Sequence, residues 1–244
     1  MATMARGDGR SADQIRPLAC TTGLLHRAHG SARWSQEKSI VLAAVYGPKA
    51  VSGKQENAER ATVEVIWKAK AGLSGSSEKE AEVILRRTIE YIIMAAQHPN
   101  TGISVIVQVV SDDGALLACA VNAACAALVD AGIPLNGLLA AVTCGVTSGG
   151  EILLDPTRME EQRIQAHVCL VFKSPVASVV PGMSQHSGED AIVTSITRGS
   201  MSVDSYLDCL ARAKAACKMV SEFSRSSIEK KQIAMGINSK ASDS

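Results

Sequence analysis

Features that would suit a nucleic-acid-binding protein are scarce in this sequence. Aromatic residues make up only 3% of the 244 residues, so stacking of bases on aromatic rings is excluded as its main way of holding a nucleic acid. The formal net charge is only +1, which gives no overall attraction to a polyanion. Any contact with RNA or DNA must therefore come from a local group of basic side chains.

Familiar signatures of cofactor, nucleotide and zinc chemistry are absent as well. The sequence has no G-x-G-x-x-G that opens a helix, no P-loop and no G-x-S-x-G motif, and its 7 cysteines include no C-x-x-C pair. We therefore expect reduced cysteines in the core. The chain starts without an apolar signal core and has no apolar run of about 18 residues, which predicts an intracellular protein without a membrane partner.

What the sequence does contain is an apolar strand, a turn and an alanine-rich helix in succession. The run Ile103–Val110 is typical of a strand buried on both faces, and the small residues over 115–131 predict a helix packed closely on a sheet. The unpaired N–H groups and positive dipole at a helix start form a natural cradle for a phosphate. The turn nevertheless carries Asp112 and Asp113 and no basic residue, so its side chains have the wrong sign for an anion.

Strands and helices alternate twice along the chain. The apolar stripe over 78–97 predicts a helix in the first half, and a second long helix is predicted from Val203 to about Lys230. This order indicates an α/β or α+β fold in which mixed sheets are covered by helices. We expect one domain over 16–230, built from halves at about 16–134 and 135–230, with a loose segment over 1–15 and a polar tail over 231–244.

Acidic residues after the seventh predicted strand form the first candidate site. Asp155 lies at the end of that strand, and Glu160 and Glu161 follow on a short segment. Three carboxylates at a strand end are suited to bind Mg²⁺ or Mn²⁺ through oxygen, and one of them is suited to act as a general acid or base. We therefore predict Asp155, Glu160 and Glu161 as catalytic and metal-binding residues; the alternative is a solvated turn with exposed glutamates.

Basic and polar residues on one loop and one helix form the second candidate site. Lys49, Lys54 and Gln55 follow the third strand, and Arg86 and Arg87 lie on the first long helix. Long cationic side chains on a loop suit contact with a phosphate backbone, which carries affinity without sequence information. These five residues are the predicted RNA-binding residues, and ordinary surface charge is the alternative if they do not converge in space.

Several segments together resemble the RNase PH family. They are RPLACTTGLLHRAHGSARW, SIVLAAVYGPK, VSDDGALLACAVNAACAALVDAGIP and LLDPTRMEEQ, and the similarity extends from about Arg16 to Lys230. The resemblance implies a duplicated β-α-β-α plan of the ribosomal protein S5 domain 2 type. It also implies binding of single-stranded RNA, 3′-to-5′ RNA processing and degradation, and a place among related ring subunits of the eukaryotic RNA exosome, in the nucleus, including the nucleolus, and in the cytoplasm.

The same resemblance exposes departures from the active members of the family, which cleave RNA with inorganic phosphate as co-substrate. Their phosphate-binding arginine falls on Leu117 here, and two acids of their last motif fall on Glu161 and His167. Phosphate would then have to bind the backbone N–H groups of Gly114, Ala115 and Leu116. Loss of a charge-assisted contact would weaken phosphate binding by about 1.5–3 kcal/mol.

Three functions remain open from the sequence. The chain could be a structural and RNA-guiding ring subunit, or an exoribonuclease with weak phosphorolytic or Mg²⁺-dependent hydrolytic activity. It could also be a homodimeric adaptor that binds RNA or DNA outside the ring, since a chain without its partners is able to pair with itself through sheet edges.

Overall fold

The computed structural model describes residues 6–51, 57–72, 75–174 and 191–242, and within the last helix it describes the side chains up to 231 and that of 233. Lys54 and Gln55, two of the predicted RNA-binding residues, lie outside the described residues. The described elements are β1 (Leu18–Thr22), β2 (Gly30–Gln36), β3 (Ser39–Ala50), β4 (Thr62–Lys68), α1 (Ser76–Ile92), β5 (Thr101–Ser111), α2 (Leu116–Asp130), β6 (Leu138–Thr147), β7 (Ile152–Leu154), α3 (Arg158–Glu161), β8 (Ile164–Ser174), β9 (Ala191–Gly199) and α4 (Val203–Ser242).

The first half of the chain forms a five-stranded mixed sheet in the order β1-β2-β3-β5-β4. The pairs β1–β2, β2–β3 and β3–β5 are antiparallel, whereas β4 and β5 are parallel because α1 connects them as a crossover. The apolar β5 lies between β3 and β4, where Val105 is opposite Val45 on one side and Val65 on the other. Strand β5 is therefore central in the sheet, but its burial alternates along the strand: Val105 and Val107 are buried, Ile106 is half-buried and Val110 is 44% exposed. The prediction of a strand buried on both faces is wrong, since only one face is fully covered.

Helix α1 is amphipathic and ends earlier than the sequence predicts. Its apolar stripe is buried against the sheet at Leu85, Ile89 and Ile92. The predicted helix over 78–97 is wrong beyond Ile92, because Ile93 adopts an extended conformation and forms a β-bridge with Leu135. A single turn of 3₁₀ helix follows over Ala95–Gln97. The bridge is a contact between distant parts of the chain, which a local periodicity does not reveal.

Helix α2 is the centre of the core and packs between the two sheets. Residues on all sides of it are buried, as its alanine-rich composition permits, and it contacts β2 and β3 on one side and β6 on the other. The buried side chain of Asn122 joins it to β6: its amide nitrogen donates to the Ala141 carbonyl (3.0 Å), and its oxygen accepts from the Ala141 N–H (2.9 Å). The middle of α2 is thereby fixed to β6, between the two halves of the chain.

The second half forms a four-stranded antiparallel sheet in the order β7-β6-β8-β9, covered by α4. The mixed α/β class predicted from the sequence is confirmed. Helix α4 continues to Ser242, so the prediction that the helix ends near Lys230 needs correction. The sequence after Lys230 contains no proline, and each added residue of a helix brings one more backbone hydrogen bond. No helix in the described part of the chain is long and apolar enough to cross a membrane.

Candidate functional site

The turn between β5 and α2 is where the sequence predicts a phosphate cradle. Gly114 and Ala115 both have positive φ, +87° and 52°, which turns the chain sharply into the helix. The Gly114 N–H donates to Asp112 Oδ1 (3.1 Å), and the Ala115 N–H donates to Glu161 Oε1 (2.8 Å). The backbone N–H groups of Gly114, Ala115 and Leu116 are the ones predicted to bind phosphate. Those of Gly114 and Ala115 are thus already hydrogen-bonded to carboxylates of the protein.

The acidic segment reaches this turn because the two pack in direct contact. A methyl group at Gly114 would lie 2.6 Å from the Pro156 carbonyl oxygen and 2.7 Å from the Arg158 nitrogen, so only glycine fits there. The Arg158 N–H donates to the Asp113 carbonyl (3.0 Å), and the Arg158 guanidinium donates to Asp112 Oδ2 (2.8 Å). The start of α2 and the segment around α3 therefore form one rigid junction between the two halves of the chain.

Asp155 faces the interior of this junction rather than solvent. Its side chain is 2% exposed and accepts three hydrogen bonds from Arg16: from the backbone N–H (2.9 Å) and Nε (2.9 Å) to Oδ2, and from Nη2 (2.6 Å) to Oδ1. The Arg16 side chain, fully buried, also donates to the carbonyls of Asp113 (2.8 Å) and Gly114 (3.2 Å). Asp155 is therefore half of a buried ion pair that joins three segments of the chain.

Glu160 is paired with a second arginine near the N-terminus. Arg6 donates from Nε to Oε1 and from Nη2 to Oε2, both at 2.9 Å, and the Thr157 N–H donates to Oε2 at 2.8 Å. Burial acts to raise the pKa of Glu160, but the hydrogen bonds from Arg6 and Thr157 outweigh it and hold that pKa below its ordinary value. The carboxylate is accordingly ionised and fully engaged in holding α3 in place.

We call residues Arg6–Arg16 the N-terminal strap. They contain no helix or strand, but three of their arginines converge on residues 154–160. The side chains of Arg6 and Arg10 are only 2% and 7% exposed, so from Arg6 onward the segment is fixed to the acidic turn rather than loose. The polar composition of this segment predicts exposed side chains, so the role of these arginines is not apparent from the sequence.

The three predicted catalytic carboxylates consequently do not meet at one point. Asp155 faces Arg16, Glu160 faces Arg6, and Glu161 faces the Ala115 amide. A divalent cation would have to displace two buried guanidinium groups to reach all three. No group of three or more His, Cys, Asp or Glu side chains in the described residues is arranged to hold a metal. The predicted Mg²⁺ site at Asp155, Glu160 and Glu161 is therefore corrected: these residues do not fit the ion.

Glu161 instead lines a cavity of about 340 Å³ between α1, the start of α2, β8 and β9. His167 on β8 lines it too, and Leu117 supplies part of an apolar wall. Burial lowers the pKa of His167; Glu161 acts to raise it, and Arg198 acts to lower it further. The remaining charged side chains of the lining are Asp112, already noted in the turn, and Glu78, Arg158 and Arg198, which the sequence patterns do not single out.

The charge in this first cavity is negative on balance. Arg158 is paired with Asp112 at 2.8 Å, and Arg198 is paired with Glu80 at 2.6 Å. With His167 neutral at pH 7, two arginines stand against four carboxylates, those of Glu78, Glu80, Asp112 and Glu161. An anion entering the cavity therefore meets net repulsion.

Two of the predicted RNA-binding residues, Lys49 and Arg86, line adjoining depressions on the first sheet. Lys49 lines a small recess over β3, β4 and β5, and Arg86 lines a groove of about 500 Å³ between α1 and β4. Both depressions share Thr62 and Glu64, so the two cations flank the same edge of the first sheet. Arg87 is exposed and lines neither depression.

Comparison with known proteins identifies the family. Residues 14–134 match the model of the 3′ exoribonuclease family, domain 1, and residues 137–216 match domain 2 of the same family. The chain belongs to the RNase PH family. The two matched regions meet between α2 and β6, so the junction around Gly114 and α3 is where the two RNase PH domains contact each other.

Among RNase PH relatives, two plant proteins are similar over almost the whole chain. The exosome complex exonuclease RRP46 homolog of Arabidopsis thaliana is 52% identical, with 95% of this chain and 98% of that protein covered. The homolog of Oryza sativa subsp. japonica is 48% identical, with 93% and 96% covered. The resemblance of the sequence to RNase PH subunits of the exosome is thus confirmed.

Solved RNase PH structures share the fold. The crystal structure of rice Rrp46 superposes with a TM-score of 0.83 at 48% identity and covers 92% of this chain and all of that one. The Archaeoglobus fulgidus exosome with RNA bound to the active site superposes with a TM-score of 0.74 at 18% identity, over 89% and 91% of the two chains. At that identity the second likeness supports the fold alone.

Proposed function

We propose that this RNase PH protein is a subunit of an exosome-type ring that takes part in 3′-to-5′ RNA processing and degradation. In this role it binds RNA and neighbouring subunits and does not itself use phosphate to cleave RNA. The observation that carries the second statement is the hydrogen bond from the Ala115 N–H to Glu161 Oε1, because a carboxylate occupies the position that an attacking phosphate would need.

The electrostatics of the first cavity support the same conclusion. Leu117 provides no positive charge where the resemblance to active members expects an arginine. The two arginines that do line the cavity are held by Asp112 and Glu80. A phosphate would therefore have to displace a carboxylate from its amide and overcome net negative charge, and the described lining of the cavity offers no unpaired arginine or lysine to compensate.

The ring assignment is supported by the relatives and by the exposed edge strand β9. The two plant relatives are named as exosome proteins and are covered almost completely. In the described part of the chain, β9 is an edge strand of the second sheet and is mostly exposed, so its backbone is able to pair with a neighbouring RNase PH-like subunit. We place the protein in the nucleus, including the nucleolus, and in the cytoplasm, where exosome substrates occur.

A homodimer outside the ring is a second candidate, and the exposed edge strand β9 favours it as well. A second copy of the chain is able to pair through the exposed edge of β9, where Ile192 is 46% exposed. Such a dimer would bind single-stranded RNA or DNA through the same basic residues. Analytical ultracentrifugation of the isolated chain, alone and with RNase PH-like partners, separates a stable dimer from a ring subunit.

A cleavage assay tests the proposed function. The purified chain is incubated with labelled single-stranded RNA and Mg²⁺, with and without inorganic phosphate, while binding is measured on the same RNA. We expect RNA binding without cleavage in either condition. Nucleoside diphosphates that form only with phosphate would contradict the proposal, and nucleoside monophosphates without phosphate would indicate a hydrolytic nuclease. A phosphorolytic family member serves as the positive control.

A further inference from the structure

A second cavity, of about 360 Å³, lies on the opposite side of α3 from the one that contains Glu161. It is enclosed by the N-terminal strap, the β2–β3 turn, the end of β6, α3 and the start of β8. Its lining residues with polar or charged side chains are Arg6, Asp8, Lys38, Asp113, Thr147, Thr157, Glu160 and Arg163. Among the described residues that the sequence predicts to bind RNA, which are Lys49, Arg86 and Arg87, none lines it.

Every carboxylate that faces this second cavity already has an arginine partner within 4 Å. The arginines all belong to the N-terminal strap, and their positive charges offset the negative charges of these carboxylates. The pairs are Asp8 with Arg10 (2.6 Å), Asp113 with Arg16 (3.8 Å) and Glu160 with Arg6 (2.9 Å).

Two further cations of the same cavity have no carboxylate within reach. Lys38 and Arg163 form no ion pair with any residue that the structure describes, and both are exposed. Lys38 lies in a two-residue turn in which Gln36 pairs with Ser39 and Glu37 has a positive φ of 53°. The Arg163 N–H donates to the Glu160 carbonyl (2.8 Å), so both backbones are held in place. The cavity therefore presents two anchored cations to solvent.

The two cavities differ in net charge when the charged lining residues are counted together with their ion-pair partners. Around the second cavity, five cationic side chains stand against four carboxylates, with Arg16 shared between Asp113 and Asp155. Around the first, two arginines stand against four carboxylates. Of these two cavities, the one on the strap side of α3 therefore gives an anionic ligand the more favourable field.

We propose that this second cavity binds a phosphate group of single-stranded RNA through Lys38 and Arg163. The proposal rests on the RNA-binding function proposed above and assigns a contact for it. Two threonine hydroxyls add to this site. Thr147 Oγ1 accepts a hydrogen bond from the Glu151 backbone N–H (3.1 Å), and Thr157 Oγ1 accepts one from the Glu160 backbone N–H (3.4 Å). The proton of each hydroxyl can therefore be donated to a phosphate oxygen. Contacts to phosphate give affinity without sequence preference.

Charge reversal in the full-length chain tests this site. RNA binding of Lys38→Glu and Arg163→Glu is measured with a fluorescein-labelled oligouridylate over a series of salt concentrations. We expect each variant to bind about tenfold more weakly at low salt, and the salt slope to fall by about 0.7 for each phosphate contact that is lost. Arg33→Glu is the matched control, because Arg33 is exposed on β2 and lines neither cavity.

The outcomes separate this proposal from the proposed function. If the wild-type chain binds RNA and both cavity variants match Arg33→Glu in affinity and salt slope, the cavity assignment is refuted while the RNA-binding function stands. If the wild-type chain does not bind RNA, both fall. A titration with inorganic phosphate alone, followed by NMR at the amides of Lys38 and Arg163, distinguishes the sources of phosphate. Saturation at low phosphate without RNA binding would indicate a site for free phosphate and overturn the RNA assignment.

Discussion

The buried pair of Arg16 and Asp155 gives the sharpest test of whether the acidic motif is structural. Both side chains are almost completely excluded from solvent, at 0% and 2% exposure. Two hydrogen bonds join them, and the Arg16 backbone N–H donates a third to Asp155. Asp155→Ala would leave the buried Arg16 guanidinium with Asp113, 3.8 Å away, as its remaining counter-charge. Arg16→Met would leave the buried Asp155 carboxylate with one hydrogen bond, from the backbone N–H of residue 16, and with Arg10 3.9 Å away. Removing one partner of such a pair costs about 3–5 kcal/mol.

Each single variant is therefore expected to unfold at a markedly lower denaturant concentration than the wild type. For a chain of this length, a loss of that size corresponds to a fall in melting temperature of roughly 6–20 °C. The double variant Arg16→Met with Asp155→Ala removes both charges together, and we expect it to lose less than the sum of the two single variants. Equilibrium unfolding in guanidinium chloride, followed by circular dichroism, measures all four proteins.

One result would refute this reasoning. If Asp155→Ala kept the free energy of unfolding of the wild type, the carboxylate would not be a structural counter-ion. A loss of RNA cleavage in that stable variant would return Asp155 to the active site. Exposed Asp204→Ala in the first turn of α4 is the matched control, because Asp204 is a carboxylate at a helix start that faces solvent.

Three further predictions concern the neighbours of this pair. Glu161→Ala frees the Ala115 N–H and removes a negative charge about 3–4 Å from a phosphate bound there. Phosphate binding, measured by a titration followed by NMR, should therefore become at least about tenfold tighter. An unchanged affinity would contradict this. Because Arg6 holds the pKa of Glu160 below its ordinary value of 4.5, the ion pair stabilises the fold above pH 4.5. This stabilisation should be lost as the pH falls through the lowered pKa, which unfolding curves at a series of pH values will measure. The Arg6→Met variant should not show this loss. Gly114→Ala forces a methyl group to 2.6 Å from a carbonyl oxygen and should lower the melting temperature, while Gly150→Ala, at φ +78° with open space around it, should lower it less.

The parts of the fold that the sequence predicts well are those set by local patterns. The apolar run of β5 and the alanine-rich α2 were predicted because strand and helix periodicity, together with the turn between them, are local properties. The end of α1 was misjudged because the bridge between Ile93 and Leu135 joins positions far apart in the chain. The acidic motif, likewise, was located in sequence but misjudged in role, since its partners Arg6 and Arg16 come from the opposite end.

Geometry at α3 explains why a count of carboxylates does not predict a metal site here. Adjacent residues on a helix project about 100° apart, so Glu160 and Glu161 cannot face the same point. One turns toward Arg6 and the cavity on the strap side; the other turns toward the Ala115 amide and the opposite cavity. Two adjacent residues of α3 therefore have different roles: Glu160 stabilises the fold, and Glu161 blocks the position that an anion would take. It follows that Glu160→Gln should affect unfolding more than phosphate binding, and that Glu161→Ala should do the reverse.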